Sequence, residues 1–259
     1  MPTPGVAMTV DGQPIHVNLD DERGRRLVAS NGNFNPHSLT LWNLALSLRN
    51  WSMVVDVGAN YGEMLVGARL PAGAVVKAFE PNAAILEHLL RTLDDAGLAV
   101  EVFPLAVGAE PGTVDFAIDT QWSGSSTLAG AGALVGDRWR HEHVEVTTID
   151  AIVGTESTPC IKVDVEGHEF DVLRGARELH RSDRPWVMML EVLHLSAFEV
   201  SRLAERHPLY MLDIRTERLV RVIGGNPMTV RRVVESSWLY GQDALIVHES
   251  LLDKESTAV

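Results

Sequence analysis

From residue 52 onward the chain alternates short β-rich apolar runs with segments of helical periodicity, and this rhythm narrows the possible folds more than any other feature. Each parallel strand needs a crossover to return to its sheet, so the alternation implies an α/β fold with a mostly parallel central sheet and helices on both faces. Strands are expected at 52–57, 75–80, 100–107, 160–165, 186–192, 210–214 and 244–247. Helices are expected at 63–70, 169–180 and 197–205, and where Ile85, Leu86, Leu89, Leu90 and Leu93 recur at helical spacing before Gly97.

Two segments break the rhythm. Past the turn Glu110-Pro-Gly112, residues 113–118 and 144–149 read as strands with no helix between them, which implies an antiparallel β insertion. The stretch 121–140 between these strands is rich in Gly, Ser and Ala, Gly130 and Gly132 included, and reads as a loop. Residues 1–50 read as an N-terminal cap on the substrate side, with a helix at 38–48 carrying Leu39, Trp42 and Leu46 on one side. Residues 51–259 form the main unit of what is expected to be one structural domain. A hydrophobic share of 46% against 22% charged residues is enough to bury a full core.

In such a sheet a ligand sits beyond the carboxyl ends of the strands, where the first strand-to-helix turn brings backbone amides close to it. That turn is Asp56-Val-Gly-Ala-Asn-Tyr-Gly62. Gly58 removes a Cβ from the approach, Gly62 lets the helix start tightly, and Asp56 can accept hydrogen bonds from an ammonium or from turn amides. A carboxylate there repels a pyrophosphate, which disfavours a dinucleotide. Glu80 ends the second strand about 20 residues beyond Gly58, where a carboxylate that binds ribose belongs. The glycine turn alone is a weak signal; turn and Glu80 together point to a nucleoside cofactor.

These features belong to a longer series: Val54-Val-Asp-Val-Gly-Ala-Asn-Tyr-Gly62, Ala78-Phe-Glu-Pro-Asn82, Leu105-Ala-Val-Gly108, Ser123-Gly-Ser-Ser126, Thr147-Thr-Ile-Asp150, Ile161-Lys-Val-Asp-Val-Glu-Gly-His-Glu169, Val172-Leu-Arg-Gly-Ala176 and Leu190-Glu191. In this order the motifs resemble the FkbM family of methyltransferases. The resemblance implies a Rossmann-like class I methyltransferase fold, S-adenosyl-L-methionine as donor, and a small-molecule or glycan acceptor with a free hydroxyl on a sugar, glycolipid or secondary metabolite. It implies that Asp56, Gly58 and Asn60, with Gly62 in the same turn, line the methionine end. Glu80 then binds the ribose, Asn82, Ala106 and Val107 the adenine, and Ser125 and Ser126 approach the cofactor.

The acids Asp164-Val-Glu166-Gly-His168-Glu169 follow the fourth strand of the parallel series. Methyl transfer to a hydroxyl needs the acceptor oxygen in line with the methyl carbon and relieved of its proton. Asp164, Glu166 and His168 are the three candidates for that base. The competing roles are structural: Glu166 bonded to turn amides, His168 on the surface, Glu169 in a first helical turn. Lys162 lies inside a buried strand and needs a carboxylate, with Glu191 the expected partner. A metal near Asp164, Glu166 and Glu191 is not expected, because no His-x-x-His or cysteine pattern supports one. His37, His141, His143 and His194 are further polar candidates, and Trp42 and Trp122 are candidates for stacking on a sugar, with packing preferred for Trp42.

The formal charge of -13 disfavours nucleic acid and anionic membranes as partners. Arg23, Arg25, Arg26, Arg231 and Arg232 read as solvated surface, and the single cysteine, Cys160, as a core thiol. Residues 1–10 show no basic-then-apolar leader and no stretch is long enough to span a bilayer, so a cytoplasmic enzyme is expected by elimination. Two other readings of the same turn are a nicotinamide-dependent oxidoreductase and a binding module without turnover. Oligomeric state, a homo-oligomer included, is open.

Overall fold

The computed structural model describes residues 4–128 and 134–252, so Gly130 and Gly132 lie outside the described residues. The β-branched run Met53–Val57 becomes a middle strand of an eight-stranded sheet. From one edge the order is Arg218–Val222, Leu209–Asp213, Asp243–Val247, Val187–Glu191, Pro159–Val163, Met53–Val57, Val75–Phe79 and Glu101–Phe103. The last five run parallel; Asp243–Val247 is antiparallel to Val187–Glu191, and the next two strands are each antiparallel to their neighbour. Chain order reverses between Met53–Val57 and Pro159–Val163, which makes the gap beyond their carboxyl ends the switch point of a doubly wound sheet.

The central strands Pro159–Val163 and Val187–Glu191 are buried at every position, as expected for strands covered on both faces. One face packs Val55, Val57, Ile161, Val163, Met188 and Leu190 into a core that includes the helices Glu169–Arg174 and Ala197–Arg206. The other face packs Val54, Cys160, Val187, Met189 and Leu245 against Leu41, Trp42, Ala45 and Leu46 of the helix Pro36–Ser47. That helix thus forms part of the layer covering the sheet, and Trp42 is fully buried in it. Further N-terminal structure was not anticipated: a hairpin of Pro4–Met8 and Pro14–Asn18, then the helix Glu22–Ala29 capped by Asp21.

Several boundaries differ from the pattern reading for identifiable reasons. The expected strand 100–107 is cut at Pro104, which has no N–H to give a ladder: Glu101–Phe103 joins the large sheet and Ala106–Val107 a separate one. The separate sheet has the order Ala106–Val107, Trp139–Thr147, Gly112–Asp119, Thr127–Leu128; its first strand runs parallel to the second, and the other three, antiparallel to their neighbours, form the expected insertion. The expected helix 169–180 breaks into Glu169–Arg174 and Arg177–Arg181 at Gly175, where a Cβ would lie 2.1 Å from the Gly108 carbonyl oxygen. The helix begun at Glu63 ends at Val66, before Gly67. Pattern reading passed over the strand Arg218–Val222 and the helix Pro227–Val234, though Asn226-Pro227 is a helix-start signal. Among the described residues no helix is long and apolar enough to cross a membrane.

At the switch point the two strands part so closely that a Cβ on Gly58 would stand 1.9 Å from the Asp164 carbonyl oxygen, and Gly58 also has φ +77°. Gly73 has a similar φ of +79° with nothing within 4 Å of its Cβ position. Gly73→Ala is therefore expected to cost about 1–2 kcal/mol through backbone conformation alone. Gly58→Ala should cost a further ~1–3 kcal/mol because main chain has to shift. Urea unfolding of the two variants measures the difference; equal losses would refute the close-approach argument.

Candidate functional site

A cleft of about 610 Å³, counting its open mouth, lies beyond the carboxyl ends of the strands at the switch point. Val57, Gly58 and Asn60 of the first turn form one side of it, and Glu80 follows the second strand. Phe79, Leu105, Val107, Phe116 and Leu128 make an apolar wall, while Asp164 and Glu166 stand at another part of the lining. The antiparallel strands of the small sheet supply Phe116 and Leu128, so the insertion walls the cleft.

Glu80 is almost fully buried, and each carboxylate oxygen takes one backbone amide: Oε1 from Asn82 at 2.8 Å and Oε2 from Asn60 at 2.9 Å. Each oxygen retains a lone pair. Burial lifts the carboxyl to about 7, with the two amide bonds opposing the rise. Asn60 reaches Glu80 because it adopts the left-handed conformation, at φ 47°, which asparagine enters more readily than most residues. Its side-chain amide faces Ser123 Oγ at 3.4 Å.

Asp56 is placed otherwise than the sequence led us to expect. It is fully buried, is not part of the cleft lining, and accepts a hydrogen bond from Lys162 Nζ at 3.1 Å. The parallel register sets Asp56 directly beside Lys162 on the adjacent strand. Lys162 also faces Asp164 at 3.4 Å, so its partners are Asp56 and Asp164 rather than the expected Glu191. Burial works against the ammonium, but the attraction of Asp56 and Asp164 outweighs it and raises the Lys162 pKa. Burial likewise pushes the Asp56 carboxyl up, with Lys162 opposing. We take the pair as ionised, because Lys162 gains from two carboxylates at once.

The other expected site residues divide. Ala106, Val107 and Ser126 line the cleft with Gly58, Asn60, Glu80, Asp164 and Glu166. Asn82 does not; its side chain caps the helix Ala83–Asp95 by accepting from Ala84 N at 3.1 Å. Gly62 starts the short helix Glu63–Val66 away from the lining. Ser125 sits inside the 3-10 turn Ser123–Ser125, where Ser123 and Gly124 face the cleft instead. His168 is also outside the lining: Nδ1 lies 2.8 Å from Asp171 Oδ2 and Nε2 3.0 Å from the Leu128 carbonyl. With both ring nitrogens so committed, His168 is badly placed to act as a base. Trp122 has one face covered by Arg26, 4.7 Å from its ring centroid, and its edge meets Phe34. His37 packs on Tyr240, His141 bridges Asp115 and the Leu134 carbonyl, and Cys160 is a buried thiol.

Arg23 went unrecognised as a site residue and departs from the surface reading of the N-terminal arginines, which holds for Arg25 and Arg26. It is buried, lines the cleft, and donates to Glu63 Oε1 at 2.6 Å. Asp21, two residues earlier, holds this wall together: it accepts from Tyr61 Oη at 2.8 Å, Ser123 N at 2.9 Å and Ser123 Oγ at 2.6 Å. The one available signal was the capping pattern at Asp21; its partners are remote in sequence.

The acid end of the cleft is crowded. Glu166 holds φ 55°, a conformation a non-glycine residue adopts only when its surroundings enforce it. Thr127 Oγ1 donates to the Glu166 carbonyl at 2.9 Å, and His194 Nε2 lies 3.2 Å from Glu166 Oε2. Burial and then repulsion from Asp164 lift the Glu166 carboxyl to about 7, against the pull of His194. Burial, followed by the charges of Asp164, Glu166 and Asp243, lifts Glu191 to about 9. Asp243 is raised to about 7 by burial, opposed by the hydroxyl of Ser38 at 2.5 Å.

The family described as Methyltransferase FkbM domain matches residues 56–218. No curated protein matches the chain. Solved structures of similar shape include the O-methyltransferase TomG from Streptomyces achromogenes, in complex with SAM, at 14% identity and TM-score 0.43 over 81% of this chain and 78% of that one. An O-methyltransferase from Bacillus cereus in complex with SAH matches at 12% identity and TM-score 0.42, over 85% of this chain and 86% of that one. The C-terminal domain of precorrin-6Y C5,15-methyltransferase from Rhodobacter capsulatus matches at 15% identity and TM-score 0.40, over 80% and 85%.

Removing Lys162 leaves Asp56 buried with no countercharge. Lys162→Met is expected to destabilise the fold by about 3–5 kcal/mol, and Asp56→Val with Lys162→Met to recover most of that loss. Chemical denaturation of the single and double variants checks this; a double variant as unstable as the single would contradict it.

Proposed function

Because the chain belongs to the family of FkbM methyltransferase domains, we propose that it transfers a methyl group from S-adenosylmethionine to a hydroxyl oxygen of a sugar, glycolipid or secondary metabolite. Glu80 carries the reading: a buried carboxylate, each oxygen bonded to a single backbone amide, in the wall of a cleft that is apolar on one side and acidic at another. Family membership sets aside the nicotinamide oxidoreductase.

The donor set suits this cofactor. Glu80 has free lone pairs for two ribose hydroxyls. Phe79, Val107, Phe116 and Leu128 offer apolar contact to a flat base. When bound, S-adenosylmethionine supplies an electrophilic methyl group on a cationic sulfur. Gly58 and Asn60 keep the first turn low beside the cleft, and Asp164 and Glu166 provide negative charge suited to a cationic ligand.

The same two acids are the groups we assign to the acceptor's proton. Both face the cleft, whereas His168 is turned away with its nitrogens engaged. Asp56 serves the reaction indirectly, by holding Lys162 beside Asp164.

The direct test is transfer of label from methyl-labelled donor to a panel of hydroxylated sugars, glycolipids and secondary metabolites, alongside calorimetric titration with adenosylhomocysteine and with NAD. Label in an alkali-stable ether is expected; binding of NAD but not adenosylhomocysteine would sink the proposal. Glu80→Gln should weaken adenosylhomocysteine by about 10–100-fold, the loss of about 1.5–3 kcal/mol for hydrogen bonds to a charged group. A ligand that donates to Glu80 favours its ionised form, so affinity should fall as pH drops through about 7. That slope should be shallower in Glu80→Gln, the remainder belonging to Glu166, which titrates in the same range.

A further inference from the structure

Around Glu166, at the acidic end of the cleft, three side chains from three separate elements converge. Glu166 comes from the turn after Pro159–Val163, Glu191 from the end of the adjacent strand, and His194 from the loop that follows. One oxygen of each glutamate and one ring nitrogen of His194 all lie within 4.8 Å of one another. His194 Nε2 stands 3.2 Å from Glu166 Oε2 and 3.7 Å from Glu191 Oε2. Two ligands held about 2.1 Å from a tetrahedral ion are separated by about 3.4 Å. The two observed spacings bracket that value.

An independent observation concerns Glu191. Its side chain is only 5% exposed, and Oε2, the oxygen turned to His194, has no hydrogen-bond partner among the described residues. Its other oxygen accepts a long bond from Gln242 Nε2 at 3.5 Å, and Gln242 is in turn held by Tyr240 at 2.8 Å. A hydrogen bond between His194 and Glu166 alone would leave that buried oxygen unsatisfied, which is costly. Among the described residues the nearby charges do not balance either. Lys162 is already shared by Asp56 and Asp164, and Arg23 is bonded to Glu63.

We propose that Glu166, Glu191 and His194 bind a divalent transition-metal ion, of the Mn2+ or Zn2+ type, at the acceptor end of the cleft. Two carboxylates and one imidazole suit such an ion better than Mg2+, which prefers oxygen ligands throughout. Three protein ligands leave coordination positions open. His194 is 45% exposed and Glu166 lines the cleft, so those positions face where an acceptor would enter. The ion would seat a hydroxyl oxygen of the acceptor, leaving Asp164 as the carboxylate free to take its proton. This role for the ion rests on the methyltransferase reading; the binding of the ion does not.

The test uses the full chain stripped with a chelator and titrated with MnCl2, following free Mn2+ by electron paramagnetic resonance, with ZnCl2 and MgCl2 in parallel calorimetric titrations. One saturable site is expected for Mn2+ and Zn2+, with Mg2+ much weaker. Glu191→Gln and His194→Ala should each weaken that site by at least about tenfold, while affinity for adenosylhomocysteine, measured on the same samples, stays within a factor of about two. No saturable binding of Mn2+ or Zn2+ at millimolar metal overturns the proposal, as does a site unchanged in both variants. His194→Ala alters an exposed side chain, so it decides the matter even if Glu191→Gln fails to fold. Wild-type protein that binds the metal but not adenosylhomocysteine would refute the methyltransferase reading and leave the metal site standing.

Discussion

The ammonium of Lys162, held between Asp56 and Asp164 in the middle of the sheet, is the interaction on which the rest of the site depends. A charge in a strand otherwise buried at every position can exist only beside a countercharge, and the register of Met53–Val57 against Pro159–Val163 puts one there. The same pairing brings the two strand ends to the close approach at Gly58 and the Asp164 carbonyl. Both the turn that borders the cleft and the acids that face it are thereby tied to a single rigid feature of the core.

That arrangement divides the carboxylates by their countercharges. Asp56 is matched by Lys162, Asp164 shares the same ammonium at a longer distance, and Glu63 is matched by Arg23. Among the described residues no arginine or lysine is bonded to Glu166, Glu191 or Asp243, and burial raises the pKa of each. Carboxyl groups without a bonded cation are therefore gathered around Glu166, while other parts of the cleft lining, Phe79, Leu105, Val107, Phe116 and Leu128 among them, are apolar. The N-terminal segment contributes by closing the structure around the turn: Asp21 fastens Tyr61 and Ser123, and Arg23 reaches the lining from the same helix start.

Much of this was legible from residue order. Short β-rich apolar runs alternating with helical periodicity marked the five parallel strands, and the turn at Gly58 and Asn60 and the acids Glu80, Asp164 and Glu166 lie where strand ends put them. Other features were hidden for physical reasons. Pro104 diverts the chain from one sheet to another, which apolar content does not reveal. Asn82 and His168 have the right chemistry for a site, but local hydrogen bonds to Ala84 N and to Asp171 claim them first. Arg23 looked like one of several surface arginines because its partner Glu63 is distant in sequence.

The sequence by itself determined the resemblance to the family, the mostly parallel sheet and the placing of the glycine turn and Glu80 at strand ends, because motifs and apolar periodicity are local properties of the chain. Only the tertiary structure decided how the charges are shared: Lys162 with Asp56 rather than Glu191, Arg23 inward rather than in solvent, and Glu166, Glu191 and His194 gathered at one point. The reason is that pairing energy depends on distance and burial. Both are set by strand register and by the packing of segments far apart in the chain.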